Sequence, residues 1–292
     1  MKAFYLATFF LLSCSLLLKA EEFSVESNVV YGEVDGQKLL VDIGTPKATS
    51  SVPRPAVILV HGGGWVEGSK EAVRWLTEGL AREGYVSFGI NYRLMKDGKN
   101  TWPAQIDDVQ RAVRWIRANA AKYGVDPNRI GAFGGSAGGH LVSLLGTMDT
   151  RDNSDKALAA YSSRVQCVVD MNGPADLSKG FAQTSGGEGK GWVNFLITSL
   201  MGGNPAEKPA VYLEASPIAH VDSKSAPFLI FHGKVDDVVP VSQSEWLHAA
   251  LQKAGVESTL ILFEGEGHDF KQQANQDRFI EEFRKFIAKH LR

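Results

Sequence analysis

The sequence predicts one α/β domain in which a mostly parallel sheet carries helices on both faces. Short apolar runs have the length and composition of buried strands at Ala56–Val60, Tyr85–Ile90, Ile130–Phe133, Val165–Met171, Phe228–Phe231 and Leu260–Phe263. Segments with helical periodicity lie between most of them, at about Glu71–Arg82, Ile106–Ala121, Gly138–Leu145, Ser244–Lys253 and Asp277–His290. Because strand and helix alternate, a doubly wound parallel sheet is favoured.

Two segments depart from this alternation. Apolar and polar residues alternate from Val29 to Ile43 around Asp35-Gly36, a dipeptide typical of two-residue hairpin turns, so an antiparallel ribbon should precede the sheet. No clear buried strand occurs over residues 172–225, and Gly180 to Gly191 contains five glycines. We expect a loop or lid insertion at 172–225, which either covers the substrate side of the domain or is a passive surface excursion.

Composition narrows the class of protein. The chain has 292 residues, of which 44% are hydrophobic and 22% are charged, and it has two cysteines. These values exclude a disordered chain and a disulfide scaffold, and no repeat of a solenoid or propeller is visible. A formal net charge of −2 gives no indication of a nucleic-acid partner. We expect a single globular domain over residues 21–292.

Residues 1–20 have the pattern of a signal peptide. Lys2 precedes an apolar stretch that ends at Leu18, and Ala20 is the small residue expected before a cleavage site. Export would make the protein secreted or periplasmic. The alternatives are an uncleaved membrane anchor and, as a lesser possibility, lipidation of Cys14, which follows Leu11-Leu12-Ser13. Cys167 lies within an apolar run and is interpreted as an inert core residue.

A nucleophilic serine is predicted at Ser136. Gly134-Gly135-Ser136-Ala137-Gly138 follows a predicted strand and precedes a predicted helix. A serine nucleophile needs such a sharp strand-to-helix turn, with glycines where side chains would clash, and the helix directs its positive end toward a forming oxyanion. The alternative is a glycine-rich structural turn.

A second glycine-rich segment lies upstream, directly after the strand that ends at Val60. In His61-Gly62-Gly63-Gly64-Trp65 the glycines allow backbone N–H groups to approach a substrate oxygen closely. The phosphate-binding patterns of nucleotide sites are not present in this segment. We expect His61 to brace the loop, and Trp65 either to form a wall of the substrate site or to pack beneath the loop.

The general base is predicted to be His268. It follows the last predicted strand, and loops at the carboxyl ends of parallel strands hold the active site in open α/β sheets. Asp236 and Asp237 both follow the penultimate strand and compete to orient the base, with Asp236 preferred. Asp269 is a weaker third candidate, because it is adjacent to His268 in the sequence and its side chain would point away from that of the base.

These motifs together resemble the α/β-hydrolase esterases, and more narrowly the bacterial acetyl/feruloyl esterase group near the hormone-sensitive-lipase-like carboxylesterases. The residues that carry the resemblance are His61–Trp65, Asn91–Leu94, Pro103–Asp108, Gly134–Gly139, His232–Pro240 and Gly265–Phe270. The resemblance implies the α/β-hydrolase fold, with Ser136, Asp236 and His268 as the triad. It also implies an oxyanion hole formed by the backbone amides of Gly63, Gly64 and Ala137, and a structural pair between Arg93 and Asp108.

The expected function is that of a secreted serine ester hydrolase that works through an acyl-enzyme. The expected substrates are acetyl or feruloyl esters, either small or carried on plant-wall polysaccharide. No metal or other cofactor is implied, since no cluster of His, Cys and carboxylate residues has ligand spacing. The alternatives are a general short-chain carboxylesterase, an arylformamidase-like amidase, a prolyl-oligopeptidase-type peptidase and a non-catalytic binding protein of the same fold.

Overall fold

The computed structural model describes residues 22–179, 181 and 191–292. The predicted signal peptide, with Cys14, and most of the glycine-rich stretch that precedes Gly191 lie outside the described residues. Within the described ranges, no helix is both long enough and apolar enough to cross a membrane.

The described residues form one mixed sheet. Its strands are β1 (Phe23–Val34), β2 (Gln37–Pro46), β3 (Arg54–Val60), β4 (Val86–Ile90), β5 (Val125–Gly135), β6 (Cys167–Met171), β7 (Phe228–Gly233) and β8 (Ser258–Phe263). They are ordered β1-β2-β4-β3-β5-β6-β7-β8 across the sheet. The six strands from β4 to the β8 edge run parallel to one another. The predicted parallel sheet is therefore confirmed.

The first two strands form the predicted hairpin. Asp35 and Gly36 both adopt positive φ, at 50° and 77°, which matches the twist that a two-residue turn needs between antiparallel strands. β2 also pairs antiparallel with β4, and this pairing joins the hairpin to the parallel part of the sheet.

Helices cover both faces of the sheet. The α-helices are α1 (Arg74–Arg82), α2 (Ala104–Ala118), α3 (Ala120–Tyr123), α4 (Ala137–Thr147), α5 (Trp192–Met201), α6 (Pro209–Ala215), α7 (Ser242–Lys253) and α8 (Gln273–Leu291). Short 3₁₀ turns occur at Lys70–Val73 and Pro217–His220. The apolar sides of α1 and α8 share one core, while α2, α4 and α7 belong to the core on the other face.

Side-chain alternation along β3 divides these two cores. Val57 and Leu59 point toward α1 and α8, whereas Ile58 and Val60 point toward α2 and α4, and all four are fully buried. A strand buried on both faces has no polar side, which explains why this run reads as continuously apolar.

The segment over residues 172–225 contains more regular structure than the loop expected from the sequence. It includes α5 and α6, and Leu196, Ile197, Leu200 and Met201 of α5 are buried at helical spacing. Trp102 donates its backbone N–H to the carbonyl oxygen of Leu200 at 2.9 Å, which ties α5 to the segment before α2. The short helices escaped prediction because they follow a glycine-rich stretch and because apolar residues occur on several sides of α5.

Candidate active site

The predicted site residues come together at the carboxyl edge of the parallel strands. Ser136 directly follows β5, Asp236 lies in the loop after β7, and His268 lies in the loop after β8. Each residue is thus delivered by the end of a different strand, in the position where open α/β sheets hold their ligands.

Ser136 lies at a strained turn. Its φ and ψ are 56° and −122°, a conformation that residues with a side chain rarely adopt. Glycine is required on both sides: a Cβ on Gly134 would lie 2.3 Å from the carbonyl oxygen of Gly138, and one on Gly138 would lie 2.2 Å from that of Val60. The packed turn holds the Ser136 hydroxyl at the end of the sheet.

Hydrogen bonds connect the three predicted triad residues. The Ser136 hydroxyl lies 2.8 Å from His268 Nε2, and His268 Nδ1 lies 2.7 Å from Asp236 Oδ2. The carboxylate accepts the Nδ1 proton, so Nε2 of a neutral His268 is free to accept the proton of Ser136. This arrangement can activate the serine as a nucleophile.

Asp236 is held by donors on both of its carboxylate oxygens. Oδ1 accepts the backbone N–H groups of Val238 and Val239 at 2.8 and 2.9 Å. Oδ2 faces His268 and, at 3.3 Å, Nε2 of His232. Burial raises the pKa of Asp236, but hydrogen bonds from His232 and His268 outweigh that effect and hold its pKa below the usual value for a carboxyl group. Asp236 therefore remains ionised beside the base.

The loop after β3 approaches the serine on the other side. Gly63 and Gly64 adopt φ of 109° and 57°, and the carbonyl oxygen of Gly63 accepts the N–H groups of Val66 and Glu67, which closes the loop into a tight turn. Gly63, Gly64 and Ala137 all line the cavity next to Ser136. Ala137 is also the first residue of α4, where backbone N–H groups have no partner within the helix.

Trp65 both lines the cavity and packs beneath the loop. Its side chain is buried, and its Nε1–H donates to Nδ1 of His140 at 3.2 Å. His140 in turn places Nε2 2.6 Å from the carbonyl oxygen of Ala215. Burial lowers the pKa of His140 to about 4, so this imidazole is neutral and fixes the indole.

The site opens into a cavity of about 490 Å³. Its rim includes Trp75 and Trp192, whose side chains are 55% and 51% exposed. The ring of Trp192 lies beside the loop after β3, since a Cβ on Gly64 would meet its Cη2 at 3.8 Å. The carboxyl groups in the lining belong to Glu67 and Asp269, and no lysine or arginine is among the lining residues that the structure describes.

Asn172 was not singled out from the sequence. It follows β6 directly, is buried, and donates Nδ2–H to the carbonyl oxygen of His268 at 2.6 Å. The available signal was its position at the end of a central strand, next to the predicted ends of β5 and β7.

Two other residues lie outside the hydrogen-bonded set of Ser136, His268 and Asp236. His220 lies away from the cavity, with its Nε2 2.7 Å from the carbonyl oxygen of Glu214. Cys167 is buried, and burial raises the pKa of its thiol to about 12.

Among residues 22–179, 181 and 191–292, no group of three or more His, Cys, Asp and Glu side chains is arranged to hold a metal ion.

Comparison with known proteins finds relatives that are esterases. The chain is 33% identical to the esterase LipQ of Mycobacterium tuberculosis over 231 residues, which cover 78% of this chain and 53% of LipQ. It is 34% identical to the esterase LipC of the same organism, over 83% of this chain and 59% of LipC. The chain thus spans little more than half the length of these relatives.

Solved structures match over nearly the whole chain. A propionate-bound thermophilic esterase from Thermogutta terrifontis superposes with a TM-score of 0.75 at 28% identity, covering 94% of this chain and 95% of that one. A truncated carbohydrate esterase from gut microbiota gives a TM-score of 0.73 at 27% identity, with 93% and 97% covered.

These matches agree with the resemblance to α/β-hydrolase esterases that the motifs carried. The model of the family described as BD-FAE matches residues 41–251, a range that begins in β2 and ends in α7 and contains Ser136 and Asp236. This chain belongs to the BD-FAE family.

Proposed function

We propose that the protein is a serine carboxylic-ester hydrolase that works through an acyl-enzyme. The observation that carries the proposal is the continuous set of hydrogen bonds from Ser136 Oγ through His268 to Asp236 Oδ2, at 2.8 and 2.7 Å, on the wall of an open cavity. The esterase names of the relatives and structural neighbours support the same reaction class.

In the first half of the reaction, Ser136 Oγ attacks the acyl carbon while its proton passes to His268 Nε2. The carbonyl oxygen becomes an oxyanion, which the amides of Gly63, Gly64 and Ala137 would stabilise. One such donor typically lowers the activation free energy by about 2.7–4 kcal/mol. His268 then returns the proton to the leaving alcohol as the bond between the acyl carbon and the alcohol oxygen breaks.

In the second half, water attacks the acyl-enzyme. His268 Nε2 takes a proton from the water, a second oxyanion forms in the same hole, and the proton then goes to Ser136 Oγ as the carboxylic acid leaves. Asp236 stays ionised throughout and favours the imidazolium form of His268 in both transition states.

We further propose acetyl or feruloyl esters of plant-wall polysaccharide as the substrate class. Two exposed tryptophans, Trp75 and Trp192, border the cavity, and flat aromatic faces suit the stacking of an aryl acid or a sugar ring. The carbohydrate esterase among the structural neighbours supports a carbohydrate ester as the substrate. Because the described carboxyl groups of the lining, Glu67 and Asp269, would repel a carboxylate, neutral esters should be preferred over esters of acidic sugars.

The reaction is tested with p-nitrophenyl acetate, p-nitrophenyl octanoate and methyl ferulate, each with the purified protein and with Ser136→Ala. We expect turnover of the acetate and the ferulate that is abolished by the substitution. Turnover that survives in Ser136→Ala would contradict the assigned nucleophile, and a preference for the octanoate would contradict the proposed acyl groups. No turnover of any ester would contradict ester hydrolysis itself.

The role of the rim is tested with Trp75→Ala and Trp192→Ala on acetylated xylan and on p-nitrophenyl acetate. Trp246→Ala is the matched control, because Trp246 is also exposed but lies on α7 outside the cavity. We expect both rim variants to lose rate on the polymer while the small ester is hydrolysed as before. Equal rates of all three variants on xylan would contradict polymer recognition by these tryptophans.

A general short-chain carboxylesterase is the second candidate function. The neighbour solved with bound propionate favours it, since propionate is a short-chain acid. High turnover of p-nitrophenyl acetate and p-nitrophenyl propionate, with no release of acetate from acetylated xylan, would support this candidate instead.

We also propose that residues 1–20 direct export and are removed. The support is the pattern of the sequence itself, with Lys2, the apolar stretch and Ala20. Fractionation of producing cells, followed by N-terminal sequencing, should find the protein outside the cytoplasm and beginning at Glu21. A full-length N-terminus in the membrane fraction would indicate an anchor instead.

A further inference from the structure

His232 lies behind the carboxylate of the triad. It is in β7, four residues before Asp236, and its side chain is fully buried. Its Nε2 lies 2.9 Å from the carbonyl oxygen of Val239 and 3.3 Å from Asp236 Oδ2. Its Nδ1 lies 2.6 Å from the hydroxyl of Ser244, which is buried at the beginning of α7.

These partners determine the tautomer of His232. Both neighbours of Nε2 are acceptors, a carbonyl oxygen and a carboxylate oxygen, so Nε2 carries a proton. Nδ1 of the neutral ring can then accept the hydroxyl proton of Ser244, and every polar atom of the buried imidazole has a partner. A His232 that donated from Nδ1 alone would set the Nε2 lone pair against two acceptors inside the protein, which is costly.

Asp236 accepts hydrogen bonds from two kinds of donor, backbone N–H groups at Oδ1 and histidine side chains at Oδ2. The N–H groups of Val238 and Val239 hold Oδ1, and their positions follow from the backbone. Oδ2 lies between two imidazoles, Nδ1 of His268 at 2.7 Å and Nε2 of His232 at 3.3 Å. This oxygen therefore interacts with the proposed base and with a second, buried histidine.

We propose that His232 is a positioning residue for hydrolysis at Ser136: its neutral imidazole donates Nε2–H to Asp236 Oδ2 and so sets both the orientation of the carboxylate and the strength with which it holds His268. The inference rests on the proposed ester hydrolysis, though not on which ester is cleaved. Without this donor, Asp236 would place more negative charge on His268, the imidazolium would be stabilised, and the base would become active only at higher pH.

The charged and titratable groups around His232 lie on three segments. Asp236 is on the loop after β7, and His268 reaches the same carboxylate from the loop after β8. Asp170 on the neighbouring strand β6 is buried and interacts with His232 through its charge. Ser244, from α7, does not titrate. Both His232 variants below lose this interaction with Asp170, so a comparison of His232→Leu with His232→Gln holds its loss constant.

A purely structural role must be distinguished, because His232 also joins Val239 and Ser244. The variants are His232→Leu, which has no donor, and His232→Gln, whose amide nitrogen can reach the position of Nε2. The matched control is His248→Gln: His248 Nδ1 lies 2.8 Å from the Ser258 hydroxyl, a similar histidine–serine contact on α7 that does not involve Asp236. All four proteins are assayed with p-nitrophenyl acetate from pH 5 to 9.

For His232→Leu we expect kcat to fall about 10- to 100-fold with little change in KM, the range given by losing one hydrogen bond to a charged group. The acid limb of the kcat/KM profile should move to higher pH, because a carboxylate with one donor fewer favours the imidazolium of His268. His232→Gln should recover most of both effects, and His248→Gln should match the unsubstituted protein. Equal losses in the Leu and Gln variants with an unmoved acid limb would overturn the proposal.

A measurement on the unsubstituted protein keeps the proposal testable if His232→Leu does not fold. In protein labelled with ¹⁵N at histidine, His232 should be protonated at Nε2 and not at Nδ1. Its Nε2 shift should also change as His268 titrates, and this change should vanish in His268→Ala. An Nδ1–H tautomer, or no response to His268, would overturn the proposal. The NMR result does not depend on turnover, so failure of ester hydrolysis would be recognised separately by the absence of p-nitrophenol release.

Discussion

Asn172 ties the loop of His268, the proposed general base, to the sheet: its Nδ2 donates to the backbone carbonyl oxygen of His268 at 2.6 Å. Its Oδ1 accepts the N–H of Gly233 at the end of β7, and its own N–H donates to the carbonyl oxygen of Phe231. The imidazole of His268 is oriented by Asp236, but the backbone that carries it is held by Asn172. The loop after β8 is thus fixed to β6 and β7 at one buried amide.

Removing the Asn172 side chain should lower kcat by about 10-fold and leave KM nearly unchanged, because the base loses its fixed position while the cavity remains. Asn172→Gly is the suitable variant, since the residue has a φ of 53° that alanine would not adopt without strain. Asn172→Asp keeps the acceptor for Gly233 but sets an oxygen against the His268 carbonyl, so it should be at least as slow. Asn119→Ala, in which a remote Nδ2–H contact with Trp115 is lost, is the control. Full kcat in Asn172→Gly would refute this role.

The fold could be predicted from periodicity because the strands are buried on both faces. β3, β4 and β6 have no exposed polar face, so each appears as a mainly apolar run, although β4 contains the buried Ser87 and β6 the buried Asp170. Boundaries were less accurate. β5 begins at Val125 and not at Ile130. Its start was missed because Asp126, Pro127 and Asn128 are polar or turn-forming, and its pairing with β3 is irregular between Val125 and Ile130.

The parts of the candidate site that could be predicted from the sequence are those that lie in short local motifs. Ser136 and the loop of Gly63 lie in short motifs whose glycines are explained by close backbone contacts. Asn172 and the contact of His232 with Asp236 depend on which strand ends are neighbours in space. That order is set by the whole sheet, so no local spacing could indicate these contacts.

Gly138→Ala should destabilise the protein by about 2 kcal/mol or more and abolish most activity, because an added methyl group would overlap the backbone. Its Cβ would lie 2.2 Å from the carbonyl oxygen of Val60 and 2.6 Å from that of His61, which cannot move without displacing the loop after β3. Gly79→Ala is the control: nothing lies within 4 Å of its Cβ, and alanine in a helix should stabilise by about 0.5–1 kcal/mol. Thermal unfolding and p-nitrophenyl acetate rates check both. An equally stable Gly138→Ala would contradict the packing of this turn.

Asp108→Ala should cost about 3–5 kcal/mol of stability, because it leaves the Arg93 guanidinium buried without its partner. Asp108 accepts Nε–H and Nη2–H of Arg93 as well as the backbone N–H of that residue, and its carboxylate is fully buried. Its neighbour Asp107 supplies the control: it also holds an arginine, Arg151, with two hydrogen bonds, but this pair is partly exposed. Asp107→Ala should cost about 0–1 kcal/mol. Similar losses in urea unfolding would show that burial does not distinguish the two pairs.

The advantage in stability that His140 gives over glutamine should shrink as the pH falls from 6.5 toward 4. In the unfolded chain this histidine binds a proton near its ordinary pKa of 6.5, whereas burial lowers the pKa in the folded protein to about 4. The folded state therefore binds fewer protons in this window, and its stability is lost as the pH falls. The full difference corresponds to about 3 kcal/mol. Protonation of Nδ1 would also break the bond from Trp65 Nε1–H, so the cost has a structural origin.

Urea unfolding of the protein and of His140→Gln at pH 7.5 and 4.5 measures this effect as a difference of differences. The subtraction is necessary because Asp170 acts in the opposite direction: burial raises its pKa to about 6, so its contribution to stability grows as the pH falls. Asp170 is present in both proteins and cancels. We expect the stability difference between the two proteins to be about 2–3 kcal/mol smaller at pH 4.5 than at pH 7.5. A difference that stays constant would mean that His140 titrates alike in the folded and unfolded states, and that the imidazole beneath Trp65 is open to protonation.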